Sequence, residues 1–80
     1  MPSVLRIGPY RLFFYSSDGD EPLHIHVERD NYIAKIWLDP IRLQKSGGFT
    51  RNEITEIIKI VEKNKNKLTE KWNEFFSNRS

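Results

Sequence analysis

Only two histidines occur in this chain of 80 residues, and a single residue separates them: His24 and His26, inside the stretch EPLHIHVERDNYIAKIWLD at 21–39. Imidazole changes charge near neutral pH, so two of them can serve one substrate as general base and general acid. On a strand, residues i and i+2 lie about 7 Å apart at Cα, given a rise of about 3.3 to 3.4 Å per residue. That spacing brackets a phosphate group, and it equally suits two ligands of one metal ion. With a cation to stabilise the charge of the transition state, the parts fit metal-independent cleavage of RNA. One imidazole would take the 2′-hydroxyl proton, the other would protonate the leaving oxygen, and Lys35, Arg6 or Arg11 would hold the phosphate. A metal site at His24 and His26 needs more donors. Zinc takes about three protein ligands in catalytic sites and four in structural ones, so Asp18, Asp20, Glu21 or Glu28 would have to join.

The first half of the chain must place these side chains, and it alternates in the manner of strands. SVLRI, YRLFFYS, LHIHVE and YIAKIWL are rich in β-branched and aromatic residues, and Gly8-Pro9, SSDGDEP and Asp30-Asn31 punctuate them with turn chemistry. Asp30-Asn31 suits a two-residue hairpin turn, whose central positions need positive φ. The register follows: Arg29 opposite Tyr32, Val27 opposite Ala34, His26 opposite Lys35, His24 opposite Trp37. One face then collects Leu23, Ile25, Val27, Ala34, Ile36 and Leu38 as a core surface, and the other collects His24, His26, Lys35 and Trp37. Pairing across Gly8-Pro9 sets Arg6 directly opposite Arg11, an unfavourable like-charge pair unless an anion or acidic group sits between them. Joined in one sheet, the two hairpins display Arg6, Arg11, His24, His26 and Lys35 among Phe13, Tyr15 and Trp37. Cations with interleaved rings suit single-stranded RNA, with Arg6, Arg11, Tyr15 and Trp37 as its binding residues. The same pattern also describes an ordinary solvated sheet face that merely tolerates histidine.

The second half is helical. Thr50 with Glu53 forms a capping box, and Phe49 with Ile54 occupies the staple positions. Ile54, Ile57, Ile58, Val61, Leu68, Trp72, Phe75 and Phe76 follow the three-four spacing of one apolar face. The spacing predicts one long helix over 50–78, unbroken or bent near residues 64–66, where the run EKNKNK is polar. Trp72, Phe75 and Phe76 either cap the core or form a second contact zone for a partner or a second copy of the chain. Lys59, Lys63, Lys67 and Lys71 make a basic ridge that could meet an acidic partner or nucleic acid, although the interspersed Glu56, Glu62, Glu70 and Glu74 favour a solvated helix face. Residues 40–48 fit either a helix start at Asp39-Pro40 or a short fifth strand. The expected architecture is therefore α+β in a single domain over 1–80. It comprises an antiparallel sheet of two hairpins over 1–39, a connection over 40–49, and the helix packed on one face.

Composition narrows the class. A chain this short has room for one modest core. It contains no cysteine, so no disulfide or thiolate metal site braces it. No stretch approaches the roughly 20 apolar residues of a membrane span, and the start, MPSVLRIGPY, lacks the basic and apolar regions of a signal peptide. A soluble, cytoplasmic protein is expected. The formal charge of +2 is too small to imply nucleic-acid binding unless the positive groups share a surface.

The order VLRIGPYRLFFYSSDGDEPLHIHVERD, then AKIWLDPIRL, then GGFTRNEI ahead of a helix resembles the small bacterial domain-of-unknown-function family DUF4160 over nearly the whole chain. The most specific element is the acidic loop followed by proline and the paired histidines: Asp18, Glu21, Pro22, His24, His26 and Val27. Many members carry a second proline immediately before the first histidine, where this chain has Leu23. The resemblance implies a toxin held in check by a cognate antitoxin, because members are often encoded beside a second small protein. It supplies no reaction.

Overall fold

The computed structural model describes residues 3–15 and 19–77. Five strands, β1 (Ser3–Ile7), β2 (Tyr10–Phe13), β3 (His24–Arg29), β4 (Tyr32–Leu38) and β5 (Ile41–Lys45), are followed by α1 (Arg51–Lys63) and α2 (Lys65–Ser77). Each strand pairs antiparallel with the next in sequence, giving the order β1-β2-β3-β4-β5. The α+β class stands.

The β3–β4 register is the one that the Asp30-Asn31 turn dictates, from Arg29↔Tyr32 to His24↔Trp37, and Asp30 takes the positive φ of 55°. Across β1 and β2, Arg6 faces Arg11. The segment left open at 40–48 becomes the fifth strand: Asp39-Pro40 turns the chain back through a cis peptide, and Leu38 then pairs with Ile41. Beyond β5, Gly47 (φ 61°) runs so close to β4 that a Cβ there would overlap the Ile33 carbonyl oxygen.

One face of the sheet builds the core. Leu12, Ile25, Val27, Ala34, Ile36 and Leu38 are fully buried there against Ile57 and Val61 of α1 and Leu68 of α2. The start of α1 is fixed as its sequence indicates. Thr50 Oγ1 accepts from the Glu53 amide at 3.2 Å, and Glu53 Oε1 accepts from the Thr50 amide at 2.8 Å. Arg29 of β3 reaches across to Glu53 and lies over the rings of Tyr10 and Phe49. The Thr50 amide, and after it the Arg29 guanidinium, hold the Glu53 carboxyl below its ordinary value.

The helical segment is two helices, not one. Asn64 (φ −112°) ends α1, and its side-chain Nδ2 donates to the Ile60 carbonyl at 2.8 Å. That bond competes with the regular ladder at the point where the apolar stripe lapses. The polar run thus marks a break: α1 lies toward β5 and α2 toward β1. No helix among the described residues is long and apolar enough to cross a membrane.

Candidate functional site

Face parity puts both histidines on the side of the sheet away from Ile25 and Ile36, but the two rings have different surroundings. His24 is wholly buried. Its Nδ1 lies 2.8 Å from the Pro22 carbonyl oxygen, which only accepts, so Nδ1 carries a proton and donates it. The rings of His26 and Trp72 stand 5.1 Å from it and Trp37 stands 5.7 Å away. The expected pair of solvent-facing imidazoles is therefore corrected to one. The break at Asn64 lets α2 bring Trp72 onto His24 while Trp72 also packs on the core residue Phe14, at 5.4 Å.

His26 is half-buried. It stacks on Phe13 (5.3 Å, 28°), meets Tyr15 edge-on at 4.9 Å, and is backed by His24. Three rings thus limit the tilt of its imidazole. It opens on a cleft of about 440 Å³ lined by Tyr15, His26, Ile33, Lys35, Gln44 and Lys45. Lys35 pairs with Glu21 of the loop before β3 (2.5 Å), and its Nζ sits 4.9 Å from the centre of the half-buried Trp37 ring. Gln44 and Lys45 were not among the expected site residues. They line one cleft together because the β4–β5 register shifts between Lys35 and Ile36, leaving Gln44 as the extra residue of a bulge that re-aims its neighbours. Strand alternation alone would send Gln44 and Lys45 to opposite faces, so no sequence signal marks the pair.

Arg6 and Arg11 lie apart from this cleft, in a groove of about 300 Å³ with Pro9, Glu28, Arg29 and Asp30. An acidic partner for the pair comes from the protein itself, on the far side of Arg11 from Arg6, where Glu28 of β3 stands directly opposite Arg11. Glu28 Oε1 accepts from Arg11 Nε at 2.9 Å and Nη2 at 2.6 Å, and the guanidinium lies 4.3 Å above the Phe13 ring. Arg11 is thus engaged in holding the sheet together, while Arg6 is exposed.

The aromatics of α2 cap the core. Trp72 is buried, and half-buried Phe75 and Phe76 each pack on Phe14 at 5.3 Å, so of the two expected roles the core-capping one is what the fold displays. For the metal reading, no group of three or more His, Cys, Asp or Glu converges among the described residues. Glu28 is bound to Arg11 and Glu21 to Lys35, and Asp18 lies outside the described residues.

What this face can do follows from its parts. It offers one oriented imidazole, a phenol and two ammonium groups around a cleft, with Trp37 alongside. The family model described as Domain of unknown function (DUF4160) matches residues 10–73. No curated protein and no solved structure matches the chain.

Proposed function

The chain belongs to the DUF4160 family, and from that premise we propose that it is the toxin of a bacterial toxin–antitoxin pair, a cytoplasmic protein that acts on single-stranded RNA at the His26 cleft. The observation that carries the reading is His26 itself, an imidazole oriented by Phe13, Tyr15 and His24 and open to a cleft that also holds Lys35. A ribonuclease on this site uses one histidine. His26 takes the proton of a 2′-hydroxyl as that oxygen attacks phosphorus; the bond to the 5′-oxygen breaks, and the Tyr15 phenol gives the leaving oxygen a proton. A 2′,3′-cyclic phosphate and a 5′-hydroxyl result, and His26 returns its proton to Tyr15 through water. Lys35 holds the phosphate charge, and Trp37 offers a ring on which a base stacks. His24 keeps the His26 ring in place from behind and does not touch substrate.

Growth and RNA assays test this together. Wild-type protein expressed alone should slow bacterial growth, and the neighbouring gene product should relieve it. The purified protein should cleave single-stranded RNA in the presence of a chelator with a bell-shaped pH dependence. His26→Ala should lose both effects while melting near the wild-type temperature. Unimpeded growth with abundant soluble protein, or RNA neither bound nor cleaved by the wild type, would overturn the proposal; binding of RNA without cleavage would overturn its catalytic half.

A further inference from the structure

We infer that Gln44 and Lys45, residues outside the catalytic proposal, join Lys35 in a subsite for one phosphate group. The inference rests on the reading of the cleft as the place where RNA is handled, and it names the part of RNA that is gripped there. Lys35 and Lys45 are directly opposed across β4 and β5. Like charges so placed destabilise a strand pair, and an anion between them removes the penalty. A lysine on an edge strand usually guards the edge against pairing with another chain, and a bulge does the same. Here the bulge at Gln44 instead sets both Gln44 and Lys45 along the wall of the cleft that His26 lines. A guard would serve as well pointing away from it. Gln44 supplies an amide donor and Lys45 an ammonium, the groups that bind phosphate oxygens.

Charge in the cleft supports the same ligand. No carboxylate lines it among the described residues, and Lys45 has no acidic partner among them. Glu21 engages Lys35 from the half-exposed loop before β3. The Glu21 carboxylate therefore occupies a position on Lys35 that a phosphate oxygen would take, and phosphate has to displace it. The cleft, at about 440 Å³, falls within the roughly 300 to 1,000 Å³ of small-ligand pockets. Room remains for the sugar that carries the phosphate.

Two substitutions with opposite expected signs test the subsite. Purified protein is titrated with inorganic phosphate, with a nucleoside 5′-monophosphate and with a short single-stranded RNA, following backbone amide shifts by NMR. All three ligands should move the amides of Lys35, Gln44 and Lys45. Lys45→Ala should weaken binding about tenfold, the loss of one charge-assisted hydrogen bond, with Lys45→Gln as a second variant should the first disturb the strand. Glu21→Gln should tighten binding several-fold by removing the competing carboxylate. Equal affinity in wild type and both Lys45 variants, weaker binding by Glu21→Gln, or shifts confined to the Arg6 and Arg11 groove would overturn the inference. If phosphate binds as described but the wild type leaves RNA intact, the ribonuclease reading fails while the subsite stands. If the Lys45 variants lose phosphate binding but cleave RNA at the wild-type rate, the subsite does not serve RNA and the inference fails alone.

Discussion

Replacing His24 by alanine should cost far more stability than replacing His26. At His24 the change removes a fully buried ring that touches His26, Trp37 and Trp72, and it deletes the donor that satisfies the Pro22 carbonyl. Large-to-small substitutions in cores cost about 2 to 5 kcal/mol, and a lost hydrogen bond adds about 1 kcal/mol. A loss of about 3 kcal/mol is expected, a large share of the roughly 4 to 12 kcal/mol that about 0.05 to 0.15 kcal/mol per residue implies for a domain of this size. With a urea m-value of about 1 kcal/mol/M, the unfolding midpoint should fall by about 3 M. His24→Asn can place an amide N–H near the position of Nδ1 and should recover part of the loss. His26→Ala, at a half-buried position, should cost no more than about 1 kcal/mol. Urea unfolding followed by circular dichroism measures all three. A His24→Ala midpoint within experimental error of wild type would refute the buried placement and return His24 to the open face.

Two further outcomes follow from the fold. The Glu53 carboxyl is held below its ordinary value in the folded chain, so its stabilising contribution is complete above the unfolded value of 4.5 and is lost as pH falls through the lower folded one; melting temperature against pH should drop less steeply on the acid side in Glu53→Gln than in wild type. Gly47→Ala should destabilise by at least about 2 kcal/mol, since the new Cβ meets the Ile33 carbonyl in a left-handed backbone conformation, and a thermal melt unchanged from wild type would show that the β5–α1 connection can shift aside.

Much of this architecture could be read from the chain because its turns are short. Asp30-Asn31 admits few loop geometries, and once it is placed every residue of β3 and β4 has an assigned face. The capping box at Thr50 was legible for a similar reason: both hydrogen bonds are made within four residues. Burial on the second face was not legible. Parity says that His24 and His26 point the same way, but not that α2 will cover one of them. That depends on the break at Asn64, where a side-chain bond to Ile60 ends α1, and on the packing of Trp72 on Phe14. The partner of Arg11 escaped for want of the β2–β3 register, which sets Glu28 directly opposite it across an acidic loop that no turn rule fixes. The bulge at Gln44 escaped because it breaks the alternation on which the face assignment relies.

The sequential strand order also has a consequence for synthesis. Each strand's partner is the one just made, so every pairing can close with the neighbouring segment as the chain leaves the ribosome, without waiting for a distant one. The apolar face is different. Leu12, Ile25, Val27, Ala34, Ile36 and Leu38 are covered by helices that are translated after all five strands, and until then that apolar surface faces water. Until Leu68 and Trp72 emerge, the nascent sheet can pair, but its greasy side remains open to chaperones and to other unfinished chains.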